Sequence, residues 1–268
     1  HPSKIGIMKQ ARASGYRVRV TTSPSSRPAR RALACAATLA LALVAGACSA
    51  PPKQQTPVED VPTASSTGTG ETGPEGFEEF YGQTLAWEEC GAGWECATAR
   101  APLSWQDPAA GEIELAVKRQ PATGERIGSL LTNPGGPGAS GVDFVASLAP
   151  TVGESVTAAY DLVGFDPRGV GQSSPVVCLD DAAKDESLSR DFDTDEAGLE
   201  ALAADRRAWA DACAENTGEL LGQVDTQSAA RDMDMLRAVL GDEKLAYLGY
   251  SYGTQLGATY AGLFPDKV

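Results

Sequence analysis

Residues 245–264 constrain the fold more than any other stretch of the chain. Residues 245–248 are Leu-Ala-Tyr-Leu, a short apolar run that predicts a buried strand. Apolar residues then recur at helical spacing over 255–264, and Pro265 ends the pattern, so a helix is predicted there. Between the two elements stands Gly249-Tyr-Ser-Tyr-Gly253. This pentapeptide must turn the chain sharply from strand to helix.

The central serine of this turn is the first candidate functional residue. A residue at so sharp a corner has a strained backbone, and only small residues two positions before and after it let strand and helix approach. Gly249 and Gly253 meet that requirement. The turn would place the Ser251 hydroxyl at the positive end of the helix, where an anionic intermediate is stabilised. The pattern is typical of a nucleophile elbow, so we predict Ser251 as a nucleophile; a glycine-rich turn with an incidental serine is the alternative.

A second glycine-rich loop lies upstream of the elbow. Residues 127–132 predict a buried strand that runs into Asn133-Pro-Gly-Gly-Pro-Gly138. The prolines stiffen this loop, while Gly135 and Gly136 leave its amides unobstructed. In α/β-hydrolases the oxyanion hole takes one N–H from the residue after the nucleophile, here Tyr252, and another from the loop after the third strand. We therefore predict Tyr252, Gly135 and Gly136 as its donors; a tight turn into a helix is the alternative.

Two further segments indicate structural roles. Asp166-Pro-Arg-Gly-Val-Gly-Gln-Ser173 follows a predicted strand over 160–165, and we interpret it as a turn fixed by an Asp166–Arg168 ion pair. Thr226 is predicted to cap a helix over 227–240. The predicted buried stripe of that helix consists of Met233, Leu236, Val239 and Leu240. Residues 199–213 predict a solvated surface helix.

Three motifs, at 133–138, 166–173 and 249–253, occur in this order along the chain. With them the chain resembles the exported tripeptidyl aminopeptidases of actinobacterial type, which belong with the prolyl aminopeptidases among the α/β-hydrolase serine peptidases. The likeness extends from about residue 77 to the end. It implies the α/β class, with a central, mostly parallel sheet flanked by helices. It also implies a peptide substrate whose N-terminal part forms an acyl-enzyme on Ser251.

The resemblance further implies a histidine base and an orienting aspartate, which follow the nucleophile in this fold. Only 17 residues follow Ser251; Asp266 is their one acid, and the single histidine of the chain is His1. We expect the chain to be the N-terminal portion of a longer enzyme, incomplete at its C-terminal end and inactive alone. An esterase or lipase that uses the same serine is one alternative function. An inactive cell-surface lipoprotein with this fold is another.

The N-terminal region predicts export. Residues 1–47 carry eight basic and no acidic side chains, and 32–47 form an uncharged apolar run of 16 residues, too short for a membrane span. The run leads into Val-Ala-Gly-Ala-Cys48, which resembles a bacterial lipobox. We predict a signal peptide over 1–48 with a lipid on Cys48, or plain secretion. Residues 49–76, rich in Pro, Thr, Ser and Gly, are predicted to be a flexible tether to a domain over 77–268.

Charge and cysteine content limit the kinds of molecule and metal that this chain is expected to bind. After residue 47 the chain holds 14 basic and 36 acidic side chains, a net charge of −22, which argues against nucleic acid. The membrane is expected to be contacted only through the lipid anchor. In an oxidising compartment, proximity favours the pairs Cys90–Cys96 and Cys178–Cys213. Neither pair has metal-ligand spacing or a nearby histidine, so we predict no metal centre and no cofactor.

Overall fold

The structure, a computed structural model, describes residues 68–268. This part of the chain contains six strands and seven α-helices. The strands are β1 (Glu88–Glu89), β2 (Glu95–Ser104), β3 (Asp107–Gln120), β4 (Gly128–Asn133), β5 (Tyr160–Phe165) and β6 (Ala246–Gly249). The helices are α1 (Glu78–Tyr81), α2 (Gly141–Leu148), α3 (Glu154–Ala159), α4 (Asp181–Ser189), α5 (Glu196–Thr217), α6 (Thr226–Val239) and α7 (Tyr252–Leu263). Short 3₁₀ turns occupy Ala149–Thr151, Gly218–Gln223 and Pro265–Lys267.

The strands form one mixed sheet in the order β1-β2-β3-β5-β4-β6. Neighbours from β1 to β5 pair antiparallel, whereas β4 pairs parallel with both β5 and β6. The predicted α/β class is therefore confirmed. The expectation of a mostly parallel sheet does not hold within residues 68–268, because parallel pairing is confined to the three strands that lead into the predicted motifs. Because β4 and β6 are parallel neighbours in which Asn133 pairs with Gly249, the loops that follow them leave the same edge of the sheet.

The strand predictions around the motifs are accurate to within a residue. Residues 160–165 match β5, and the predicted strands at 127–132 and 245–248 correspond to β4 and β6 shifted by one position. The elbow helix α7 begins at Tyr252, three residues before the predicted start. The reason is that the positive φ of Ser251, 52°, turns the chain directly into the helix.

Helix α6 lies at the centre of the packing. The predicted stripe is buried: Met233, Leu236 and Val239 are 0% exposed, and Leu240 is 3% exposed. The prediction that Thr226 caps this helix is wrong. Asp225 is the cap, since its carboxylate accepts hydrogen bonds from the backbone of Gln227 and Ser228.

The predicted Asp166–Arg168 ion pair is also wrong. Arg168 Nε and Nη2 instead donate to the two carboxylate oxygens of Asp232 on α6, at 2.7 and 2.6 Å. Trp105 Nε1 donates to the same carboxylate at 2.9 Å. Burial raises the pKa of Asp232, and the ion pair with Arg168 opposes that shift. The motif therefore ties the loop after β5 to the central helix.

The described end of the predicted tether is not a free linker. Thr69 N donates to the carbonyl of Ala238 at 2.9 Å, and the Glu71 carboxylate accepts hydrogen bonds from Arg237 and Lys267. Burial opposes ionisation of Glu71, but these two bonds hold its pKa below the ordinary value. The folded part therefore begins by residue 68, nine residues before the predicted boundary. Composition did not predict this order, because it comes from one carboxylate that bonds to two cationic side chains, while the neighbouring residues are polar.

Both predicted disulfides, Cys90–Cys96 and Cys178–Cys213, are present. The second joins α5 to the segment before α4. Helix α5 has no buried residue, as predicted for a surface helix. Within residues 68–268, no helix combines the length and apolar character needed to cross a bilayer. The predicted signal peptide, Cys48 and tether residues 49–67 lie outside the described residues.

Candidate active site

Ser251 occupies a sharp turn between β6 and α7. Its backbone has φ 52° and ψ −122°, a conformation that costs about 1–3 kcal/mol for a non-glycine residue and is concentrated at functional sites. Gly253 N donates to the Tyr250 carbonyl at 2.7 Å, which closes the turn. The Ser251 side chain is exposed, and its hydroxyl has no hydrogen-bond partner among residues 68–268. The turn therefore presents an unengaged hydroxyl at the edge of the sheet.

The two flanking glycines are required by close backbone contact, as predicted. A Cβ atom at Gly249 would lie 2.5 Å from the carbonyl oxygen of Gly253. One at Gly253 would lie 2.8 Å from the carbonyl oxygen of Asn133. Tyr247 braces the same turn, because its hydroxyl donates to the Gly253 carbonyl at 2.9 Å. Burial raises the pKa of Tyr247, which keeps that donor proton in place.

The loop at 133–138 packs directly against the elbow. Tyr250 N donates to the Asn133 carbonyl at 3.0 Å, joining the two loops by their backbones. A Cβ built on Gly135 would lie 3.0 Å from both Ser251 Cβ and Tyr252 N. The structure thus brings Gly135, Ser251 and Tyr252 together, as expected for an oxyanion hole.

The predicted oxyanion donors differ in availability. Tyr252 N–H is the first amide of α7, and within residues 68–268 it has no acceptor. Gly136 N–H likewise has none in that part of the chain. Gly135 N–H instead donates to Asn133 Oδ1 at 2.8 Å. Gly135 therefore packs closely on Ser251, and Tyr252 and Gly136 are the two predicted donors whose amides are not engaged within residues 68–268.

The Asn133 side chain is a site residue that sequence reasoning missed. It is 1% exposed, and its amide oxygen holds Gly135 N–H in place. The signal was present in the sequence, because an asparagine often accepts a hydrogen bond from the backbone amide two residues later. Asn133 followed by Pro-Gly is such a position.

The residues on either side of Ser251 are tyrosines that link the elbow to neighbouring helices. Tyr250 is 47% exposed, and its ring meets Phe144 of α2 edge-on, with ring centroids 5.6 Å apart. The Tyr252 hydroxyl shares a hydrogen bond of 2.9 Å with Thr226 Oγ1. The elbow is therefore packed against α2 on one side and hydrogen-bonded to the start of α6 on the other.

Residues 68–268 do not supply a complete triad. They contain no histidine, and Asp266, the only acid after Ser251, is exposed in the final 3₁₀ turn. No group of three metal-ligating side chains occurs in this part of the chain. The described residues therefore supply the candidate nucleophile Ser251 and the candidate oxyanion-hole amides.

Comparison with known proteins places this geometry in a family. The model of the alpha/beta hydrolase fold matches residues 128–268, more than half of the chain. The chain belongs to the alpha/beta hydrolase family. The matched region begins at the first residue of β4 and includes both the glycine-rich loop and the elbow.

Among individual alpha/beta hydrolase relatives, the chain is 43% identical over 196 residues to a tripeptidyl aminopeptidase of Streptomyces lividans, covering 69% of this chain and 36% of that protein. It is 38% identical over 203 residues to the serine protease Hip1 of Mycobacterium tuberculosis, covering 71% and 39%. It is 46% identical over 147 residues to carboxylesterase B of the same organism, covering 53% and 28%. The chain thus spans between 28% and 39% of the length of these curated relatives.

Replacement of Gly135 by alanine is expected to slow acylation of Ser251 by about 10²-fold or more, because the added methyl group would push the loop that carries the Gly136 amide away from the elbow. Losing one oxyanion donor has an effect of this size. The new methyl group would lie 2.4 Å from the Tyr250 carbonyl oxygen, at a φ of +97°. The rate of reaction with a fluorophosphonate probe, measured in the full-length protein, reports the effect.

Gly138→Ala is the matched control for Gly135→Ala. Gly138 lies in the same loop at φ +101°, but an added Cβ has nothing within 4 Å. It therefore measures the backbone strain without the clash. Equal rates for the two variants would contradict the close packing of Gly135 on the elbow.

Proposed function

We propose that the protein containing this chain is an exported serine hydrolase that releases short peptides, tripeptides in particular, from free N-termini through an acyl-enzyme on Ser251. The observation that carries this proposal is the position of Ser251. It lies in a strained elbow, beside the free Tyr252 N–H and against Gly135. The printed names of two relatives, a tripeptidyl aminopeptidase and a serine protease, support a peptide substrate.

The geometry fits acyl transfer. When the Ser251 oxygen attacks a carbonyl carbon, the carbonyl oxygen becomes negatively charged and needs preorganised donors. Tyr252 N–H lies at the positive end of α7, and Gly136 N–H belongs to the adjoining loop. Each such donor contributes about 3 kcal/mol of transition-state stabilisation. The proposed base is a histidine later in the protein, since in this fold the aspartate and histidine follow the nucleophile.

An esterase is the second candidate, and the likeness to carboxylesterase B favours it. The two candidates share the acylation chemistry and differ in the substrate that reaches Ser251. The full-length protein should therefore be assayed with a tripeptide anilide, the same anilide acetylated at its N-terminus, and a short acyl ester.

The peptidase proposal predicts turnover of the free tripeptide anilide and at least about tenfold lower kcat/KM for the acetylated one, a difference of about 1.4 kcal/mol. Ester hydrolysis alone would contradict it and establish the esterase. Ser251→Ala is included in each assay, so that hydrolysis by a contaminating enzyme is recognised.

Export and anchoring form a separate part of the proposal. The basic start, the apolar run and Cys48 support a lipid-anchored protein on the cell membrane, and the two disulfides fit an oxidising compartment. Metabolic labelling with a palmitate analogue should modify the wild-type protein and not Cys48→Ser. Export without any label would instead support the secreted form.

A further inference from the structure

Asp166 is a buried carboxylate that the proposed chemistry does not use. It follows the last residue of β5 and is 0% exposed. Within residues 68–268 no lysine, arginine or histidine forms an ion pair with it, since Arg168 pairs with Asp232. Burial of a charged group is costly unless hydrogen bonds compensate for the lost water. The groups that bond to Asp166 therefore indicate its role.

Three donors surround this carboxylate, two from the start of α2 and one from the loop after β5. Asp166 Oδ1 accepts from Ser140 Oγ at 2.6 Å and from Val142 N at 3.1 Å, both at the start of α2. Asp166 Oδ2 accepts from Gln172 N at 2.9 Å. The position beneath the first turn of α2 also places the negative charge at the positive end of that helix. Asp166 thus joins the beginning of α2 to the loop after β5.

Glycines make this arrangement possible. A Cβ on Gly171, whose φ is +55°, would lie 2.2 Å from Asp166 Oδ2. A Cβ on Gly141 would lie 2.0 Å from the Phe165 carbonyl oxygen. Because both segments carry glycine where they meet the end of β5, the carboxylate is enclosed by backbone.

The start of α2 is also the point at which the glycine-rich loop that begins at Asn133 ends. That loop leaves β4 at Asn133, whose side chain fixes Gly135 N–H at 2.8 Å. It enters α2 at Ser140, whose hydroxyl donates to Asp166 and accepts from Asp143 N. The Gly136 amide, which has no acceptor within residues 68–268, lies between these two fixed points along the chain.

We infer that Asp166 is a positioning residue for the oxyanion hole. It fixes the C-terminal end of the loop that carries the Gly136 amide, while Asn133 fixes the other end. This inference rests on the proposed function, because it requires that Ser251 be acylated with help from that loop.

Replacement of Asp166 by alanine would leave Ser140 Oγ, Val142 N and Gln172 N without their acceptor. The loop would then be held at one end only. A displacement of about 1 Å in a catalytic group can cost about 10²-fold in rate. Binding of the substrate ground state does not need the oxyanion donors, so kcat is expected to fall while KM changes little.

The test compares Asp166→Ala, Asp166→Asn and Ser140→Ala in the full-length protein. The readouts are the rate of Ser251 labelling by a fluorophosphonate, kcat and KM for the tripeptide anilide, and the melting temperature. Asp143→Ala is the matched control, since it removes an exposed carboxylate from the first turn of the same helix without touching the loop.

Asp166→Ala is expected to label about 10–100-fold more slowly, with KM within about twofold of wild type. Asp166→Asn should be intermediate, because its amide oxygen still accepts from Ser140 and Val142 while its NH₂ group opposes Gln172 N–H. Asp143→Ala should label at the wild-type rate. A folded Asp166→Ala protein that labels at the wild-type rate would overturn the inference.

Ser140→Ala keeps the inference testable if Asp166→Ala does not fold. It removes one of the three bonds, so slower labelling at an unchanged melting temperature supports the inference and unchanged labelling overturns it.

Labelling of Ser251 by a fluorophosphonate does not require a peptide substrate. If the wild-type protein is labelled but does not cleave the anilide, the proposed peptide substrate is contradicted. The positioning role of Asp166 is still decided by the labelling rates of the variants. A folded wild-type protein that does not label overturns both.

Discussion

Ser251→Ala is expected to lower kcat for peptide hydrolysis by about 10⁶-fold, the loss seen when the serine of a complete triad is removed. In the proposed mechanism, the substitution removes the oxygen that forms the acyl-enzyme. Residual catalysis of about 10³–10⁴-fold over water should remain, because the Tyr252 amide and substrate binding are unaffected. KM should stay close to the wild-type value, since the alanine leaves the surface that holds the ground state intact.

Ser147→Ala is the control for this experiment. Ser147 lies on the exposed side of α2, where its hydroxyl donates only to the Phe144 carbonyl. It should leave kcat unchanged, which shows that loss of a serine near the site is not sufficient. A Ser251→Ala protein with kcat within about tenfold of wild type would exclude the acyl-enzyme on this residue.

Arg168→Met is expected to lower the free energy of unfolding by about 3–5 kcal/mol, the cost of leaving one member of a buried ion pair alone. Arg168 and Asp232 side chains are 1% and 0% exposed, and the guanidinium also donates to the carbonyls of Pro102 and Leu103. Among residues 68–268, Trp105 would be the one side-chain donor left to the buried Asp232 carboxylate. Guanidinium chloride unfolding of the full-length protein, followed by tryptophan fluorescence, measures the change.

Two further variants define the origin of that loss. The double variant Arg168→Met with Asp232→Leu removes both charges and should be more stable than either single variant. Glu186→Gln removes one of the two acidic partners of Arg190, in an exposed pair, and should change stability by less than about 1 kcal/mol. If Arg168→Met and Glu186→Gln lower the free energy of unfolding by similar amounts, the buried pair contributes no more to stability than the exposed pair.

The elbow was predictable because its cause is local. An apolar run, a serine between two glycines and a helical pattern are consecutive in the sequence, and the strain of the turn is set by those residues alone. The loop at 133–138 was predictable for the same reason. Their contact also followed, because loops after neighbouring parallel strands leave the same edge of a sheet.

The pairing of charged and polar groups could not be read in the same way. Arg168 has an acid two residues before it, yet its partner is Asp232, 64 positions later. Glu71 stands in a polar segment, and only the folded arrangement of Arg237 and Lys267 explains its order. The amide of Gly135 donates to a side chain two residues away, so it differs in availability from the amide of Gly136. Such choices depend on which groups the tertiary fold brings together.

The residue that reacts with a fluorophosphonate shows directly whether Ser251 is an activated nucleophile. The full-length protein should be labelled in its folded state, digested and mapped by mass spectrometry, with a heat-denatured sample as the control. One adduct is expected, on Ser251, and it should be absent from the denatured sample. An adduct on another residue, or none on the folded protein, would contradict that role of Ser251.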